Sequence, residues 1–259
     1  MSLFAPLDAL LAPAPDAARI AFLKDIPFAH RGLHGGAVVE NSLAAFDEAM
    51  AAGYGMECDV QASLDGIPFI FHDTLLDRLT GEKGPLGVRT ADLLDAVTLS
   101  GNGERLPRLE ALLALVAGQR PLLIEVKVPG RQVARLCHGV RRALEGYRGP
   151  VAVMSFNPQV GAWFARAAPR VVRGLVVTQQ GKGKMRGAVE RTLALWRAKP
   201  DFLAYDIRDL PAPFATRARR RGLPVLSWTV RDAAQEAVAL VHADQIIFEH
   251  PSMAALANG

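Results

Sequence analysis

What this chain lacks narrows it before its contents are read. In 259 residues there are two cysteines, Cys58 and Cys137. Neither belongs to a Cys-x-x-Cys pattern; one falls in a strand-like run and the other in a helical one, so both read as small core residues rather than a disulfide or a soft-metal site. That usage suits a reducing compartment, and a cytoplasmic location is expected. No stretch reaches the roughly 18 uninterrupted apolar residues of a membrane-spanning helix. The N-terminal MSLFAPLDALLAPAPDAARIAFLKDIP has no basic n-region, carries Asp8, and is cut by Pro6, Pro13 and Pro15. It makes a poor signal peptide and a better short amphipathic helix packed on the domain, so no stable membrane insertion is expected. There is no long Pro/Gly/Ser-rich linker, and one domain over 1–259 is expected. Few aromatics interleave the arginines, which argues against a nucleic-acid partner, and a net charge of +4 favours an anionic ligand only weakly.

What is present concentrates between Ala29 and Gly81. Phe28-Ala29-His30 ends an apolar run, and Arg31-Gly32 begins a loop, so His30 and Arg31 stand where a strand opens into solvent. Met56 to Gln61 is a second strand; alternation puts Glu57 and Asp59 on one face and Cys58 on the other. Asp65-Gly66 is a hairpin signal. A two-residue loop there pairs residue 64 with 67, and so Asp59 with His72, roughly 4.5 to 5.5 Å apart at Cβ. Two neighbouring buried carboxylates demand a compensating cation.

The remainder alternates. Asn41 or Ser42 caps a helix that stops at Gly53, and a long Gly-rich excursion, about 73–106, carries a short helix from Thr90 to Val97. A helix runs from Leu106 to Val116, and Pro121 to Val128 is a strand on which Glu125 and Lys127 share a face. Strands near 29, 58, 124, 152, 174, 203, 226 and 247, each followed by a helix, spell an α/β fold of the (β/α)8 TIM-barrel class with an insertion after strand two. An open α/β sheet is the alternative, disfavoured because no Gly-x-Gly-x-x-Gly follows the first strand.

Barrel enzymes place their sites at the C-terminal ends of strands, where His30, Arg31, Glu57, Asp59, Glu125 and Lys127 fall. Glu57, Asp59 and Glu125 offer three oxygen ligands, suited to Mg²⁺ or Ca²⁺. Arg31 and Lys127 suit a phosphate, and His30 and His72 suit proton transfer on either side of a P–O bond. The residues describe phosphodiester cleavage of a small anionic substrate.

The sequence resembles the glycerophosphodiester phosphodiesterases along nearly its whole length. The match is carried by His30-Arg31-Gly32, Glu40-Asn41-Ser42 with Ala45-Phe46, Glu57-Cys58-Asp59-Val60, Asp65-Gly66, His72-Asp73 with Arg78, Pro107, Glu125-Val126-Lys127 and Trp228-Thr229-Val230. The resemblance implies a (β/α)8 barrel, a divalent metal at Glu57, Asp59 and Glu125, acid/base histidines at His30 and His72, and a glycerol-facing wall at Trp228. It implies hydrolysis of glycerophosphodiesters such as glycerophosphocholine or glycerophosphoethanolamine to sn-glycerol 3-phosphate and an alcohol. In the mechanism it implies, the glycerol 2-hydroxyl, activated by base and metal, closes a cyclic phosphate; the alcohol leaves with a proton from the other histidine, and water opens the ring. Which histidine is acid and which base stays open at this stage. The resemblance fails near the C-terminus, where Glu249-His250 stands in place of the usual Thr-Asp. His34 reads as an exposed loop histidine, and GKGKMR after the fifth strand as a solvated loop. The alternatives are a lysophospholipase D or phospholipase C-like enzyme acting on lipids, and a catalytically silent binding module.

Overall fold

A computed structural model of the protein describes residues 5–101, 103–181 and 183–249. The described residues pack as two compact units, one of residues 28–151 and one joining residues 5–27 with residues 152–249.

The N-terminal helix α1 (Ala5–Leu11) belongs to the second unit. The first unit opens with β1 (Phe28–His30), α2 (Leu43–Ala51) and β2 (Gly55–Ala62). β3 (Pro68–Ile70), the short α3 (Ala91–Asp95), α4 (Leu109–Val116), β4 (Leu122–Val126) and α5 (Ala134–Ala143) follow. β1 runs parallel to β2 with His30 level with Glu57, and β2 runs parallel to β4 with Asp59 level with Glu125. Every residue of β1 and β4 is buried, as expected of parallel strands covered on both faces. Ser42, not Asn41, caps α2: its hydroxyl accepts the Ala45 N–H at 3.1 Å.

The hairpin corrects the expected register. Val60 pairs with Ile70, Gln61 with Phe69 and Ala62 with Pro68, and the Phe71 N–H donates to the Asp59 carbonyl. His72 therefore does not lie opposite Asp59. The reason is turn chemistry. A two-residue type I′ turn needs positive φ at both central residues, and here Gly66 (φ +89°) has it but Asp65 does not. The Ser63 hydroxyl accepts the Ile67 N–H and donates to Asp65, which closes a three-residue loop and moves every partner by one.

The excursion after β3 is anchored, not loose. Phe69 and Phe71 pack with Leu76, Leu86, Leu94, Val97, Leu99 and Leu106 in a small core of its own. α4 starts three residues later than expected because the chain before it is extended: Arg108 bridges Phe69, and the Ile70 N–H donates to the Pro107 carbonyl.

The second unit repeats strand and helix: β5 (Val151–Ser155), α6 (Pro158–Ala167), β6 (Val172–Val177), α7 (Lys184–Ala198), β7 (Phe202–Asp206), α8 (Pro213–Arg220), β8 (Val225–Val230), α9 (Ala233–His242) and β9 (Gln245–Phe248). Consecutive strands from β5 to β9 pair in parallel. GKGKMR is loop only as far as Gly183, since α7 begins at Lys184. α1 is held by a hydrogen bond from Trp196 Nε1 to Asp8 (2.8 Å) and by Arg221, which donates to the Asp8 and Ala12 carbonyls. Both cysteines are free and buried.

Gly32 (φ +76°) turns the chain out of β1, and a Cβ there would lie 2.7 Å from the Ala45 backbone at the start of α2. Left-handed backbone alone costs a side-chain-bearing residue about 1–2 kcal/mol. Gly32→Ala is expected to lower the unfolding free energy in urea by at least about 1 kcal/mol; an unchanged midpoint would contradict this close approach.

Candidate active site

Strand alternation places the site. Glu57 and Asp59 point the same way from β2, with Cys58 buried on the other face. Glu125 joins them from the end of β4, because parallel pairing sets it level with Asp59. One carboxylate oxygen from each lies within 4.8 Å of the others, and all three residues are buried.

Cations and donors surround them. Lys127 Nζ stands 2.8 Å from Glu125 Oε1 and 3.1 Å from Asp59 Oδ1. Arg31, in left-handed backbone (φ +59°), puts Nε 3.1 Å from Asp59 Oδ2 and donates its N–H to Glu57 Oε2. His30 Nε2 lies 3.9 Å from the same Glu57 oxygen. Asn41 closes the ring: its side-chain amide donates to Asp59 Oδ2 (3.0 Å), and its oxygen accepts the Asp59 N–H.

The arrangement splits the carboxyls. Burial pushes Asp59 up, but Lys127 and Arg31, followed by His72 and His30, outweigh it and hold the group below the ordinary range. Burial pushes Glu57 well above it, with the charges of Asp59 and Glu125 adding, and raises Glu125 as well despite Lys127. Glu57 Oε1 is buried with no hydrogen-bond partner among the described residues. A self-sufficient salt-bridge network would leave no such oxygen, because an unpaired buried charge is costly. A hard cation among three carboxylates supplies the missing partner, so the residues fit a divalent ion.

His72 reaches this cluster from the turn after β3. Gln61 fixes that turn by donating to the carbonyls of Phe71 and Asp73. His72 Nδ1 is 2.7 Å from Asp73 Oδ1, and Arg78 Nε donates to Asp73 Oδ2. Arg78 also donates twice to Glu40, which accepts in addition from Arg31. A single carboxylate thus links the arginine beside Asp59 to the arginine behind His72. Arg78, with His72, holds Asp73 at about 2. Burial lowers the His72 pKa against the pull of Asp59, and Lys127 and Arg31 lower it further.

Sequence reasoning gave no role in the site to Glu40, Asn41, Asp73 or Arg78, and offered Asn41 only as a candidate helix cap. The available signal was Glu40-Asn41-Ser42, three polar residues before a helix with one cap position to fill. Ser42 takes the cap, and Asn41 (φ +59°) turns its amide to Asp59.

Trp228 belongs to the other unit. It stands on β8, where Nε1 donates to the Ala204 carbonyl (2.9 Å) and the ring meets Phe156 edge-on at 5.4 Å. Glu249 pairs with Arg231 at 2.6 Å, and His250 lies outside the described residues. His34 is half-buried in the loop after β1, not exposed.

Residues 30–253 match the Glycerophosphoryl diester phosphodiesterase family. The chain is 28% identical over 247 residues to a glycerophosphodiester phosphodiesterase of Caldanaerobacter subterraneus subsp. tengcongensis, covering 88% of this chain and 96% of that one. Among solved structures, a phosphodiesterase of Oleispira antarctica, in complex with the product sn-glycerol-3-phosphate, superposes with a TM-score of 0.77 at 24% identity, covering 90% of this chain and 97% of that one. A glycerophosphodiester phosphodiesterase of Agrobacterium tumefaciens superposes with a TM-score of 0.67 at 26% identity, covering 88% and 98%. The fold class is the (β/α)8 barrel that strand and helix alternation predicts.

Glu57→Gln removes one of three crowded negative charges and keeps an oxygen to accept the Arg31 N–H. In chelator-treated protein this variant is expected to melt about 2 °C or more above wild type, equivalent to about 1 kcal/mol at this chain length. It is also expected to lose the rise in melting temperature that divalent cations give the wild type. A variant that melts at or below wild type would contradict the charge crowding.

Proposed function

Since the chain belongs to the glycerophosphoryl diester phosphodiesterase family, we propose that it hydrolyses soluble glycerophosphodiesters, glycerophosphocholine and glycerophosphoethanolamine among them, to sn-glycerol 3-phosphate and the alcohol. The observation that carries the reading is the buried triad of Glu57, Asp59 and Glu125, with its unpartnered Glu57 oxygen, beside two cations and two histidines. The product complex of the Oleispira antarctica phosphodiesterase supports the substrate class.

Glu57, Asp59 and Glu125 would hold Mg²⁺ or Ca²⁺, which when bound supplies Lewis-acid polarisation of a phosphoryl oxygen and neutralises carboxylate charge. Arg31 and Lys127 bind the phosphate; burial among carboxylates keeps both charged, each raised above its ordinary pKa by Asp59 and its neighbours against the cost of burial. Asp73 accepts a hydrogen bond from the Nδ1–H of His72, which fixes the tautomer and leaves the Nε2 lone pair to accept a proton from the attacking hydroxyl. His30, close to Glu57, then donates to the departing alcohol oxygen. The Arg31–Glu40–Arg78–Asp73 chain keeps the phosphate-binding arginine and the His72 ring in one frame.

Purified protein incubated with glycerophosphocholine, glycerophosphoethanolamine and a lysophospholipid tests this reading. We expect glycerol 3-phosphate from the two soluble diesters, abolished by EDTA and restored by Mg²⁺ or Ca²⁺. Turnover indifferent to chelator would remove the metal assignment, and activity confined to the lipid would overturn the substrate class. His72→Ala is expected to retain folding and divalent-ion binding while turnover falls at least about 10²-fold; near-normal rates would take His72 out of the chemistry.

A further inference from the structure

A cavity lies wholly within the unit that contains α7 and α8 and shares no lining residue with the carboxylate cluster. It measures about 380 Å³ and opens between the middle of α7 and the start of α8, a size within the range of about 300–1,000 Å³ typical of small-molecule sites. Val189, Leu193, Trp196 and Phe214 give it an apolar wall, Arg191 and Arg217 give it charge, and among the described residues no acidic side chain lines it.

The two arginines differ from their neighbours. Arg186, Arg208, Arg219 and Arg221 each pair with a carboxylate. Among the described residues, Arg191 and Arg217 form no salt bridge; both instead lie over the Phe214 ring, with Cζ 5.8 and 5.9 Å from its centroid. Arg191 Nε is also buried without a hydrogen-bond partner among the described residues. Arginines that merely cover an aromatic ring keep their polar atoms in water, and a buried donor with no acceptor costs free energy until one arrives. At the rim, Val189 and Leu193 sit one helical turn apart and are 57% and 55% exposed. Two cations on an aromatic floor, edged by exposed aliphatic side chains, complement a ligand that is anionic at one end and apolar at the other.

We propose that this cavity binds an amphipathic anion, its phosphate or carboxylate head at Arg191 and Arg217 and its alkyl body against Trp196, Leu193 and Val189. The inference is independent of the hydrolytic site, because none of these residues belongs to the carboxylate cluster.

The test titrates full-length protein calorimetrically with octyl phosphate, using inorganic phosphate and octyl glucoside as head-only and neutral comparisons. One octyl phosphate per chain is expected, at least about tenfold tighter than either comparison, since inorganic phosphate lacks the apolar body and octyl glucoside the charged head. The double variant R191Q/R217Q should lose at least about tenfold in affinity while hydrolysing glycerophosphocholine at the wild-type rate. Because that variant also removes the stacking on Phe214, Leu193→Asp provides a second arm at an exposed position and should weaken octyl phosphate similarly. Sedimentation with phosphatidylglycerol and phosphatidylcholine vesicles separates two sources of the ligand. Retention on phosphatidylglycerol that Leu193→Asp abolishes identifies a bilayer lipid, and octyl phosphate binding without retention identifies a free amphiphile. Equal binding of octyl glucoside, wild-type affinity in both variants, or vesicle retention without octyl phosphate binding would each overturn the proposal.

Discussion

The candidate active site depends on one electrostatic constraint: three carboxyl groups, from two adjacent parallel strands, buried within 4.8 Å of one another. Left alone, such a cluster repels itself and forfeits its hydration. The surrounding residues read as answers to that problem. Arg31 adopts a left-handed backbone that brings its N–H to Glu57 and its guanidinium to Asp59, and Gly32 provides the turn that follows. Lys127 bridges Asp59 and Glu125. Asn41 leaves the helix cap to Ser42 and donates to Asp59. These groups hold Asp59 between two cations, yet among the described residues Asp59 Oδ1 and Glu57 Oε1 both remain buried without a hydrogen bond. That remaining deficit is what a bound cation would fill and what a purely structural ion-pair network would not leave.

The same constraint reaches His72 through residues that touch no carboxylate of the triad. Glu40 is shared between Arg31 and Arg78, and Arg78 fixes the aspartate that orients the imidazole. The orientation of the His72 ring is thereby tied to the residues that compensate the triad. Such a frame favours preorganisation over stability, since buried ion pairs seldom repay their desolvation.

How much of this was legible in the sequence depends on the range of the interaction. Glu57, Cys58 and Asp59 could be read directly because a strand alternates with period two, and the repetition of strands and helices gave the fold class. Glu125 and Lys127 could be placed because parallel strands bring residues at the ends of neighbouring strands together. The hairpin misled because Asp65-Gly66 suits a two-residue turn, whereas the hydroxyl of Ser63, two residues before Asp65, selects a three-residue loop. The proximity of His72 to the cluster survived that error for a different reason: Gln61 ties down the turn itself. Glu40, Asp73 and Arg78 were present as motif letters, but their pairing joins separate segments and has no periodicity to betray it. The Arg191–Phe214–Arg217 cavity was invisible for the same reason, being assembled from two helices.

The central claim is that the triad is one cation short of satisfied. Calorimetric titration of the chelator-stripped protein with Mg²⁺ and with Ca²⁺ tests it most directly, with Glu125→Gln as the comparison. The account predicts saturable binding of one divalent ion per chain, lost or severely weakened in the variant. Absence of binding, or equal binding by wild type and variant, would contradict it.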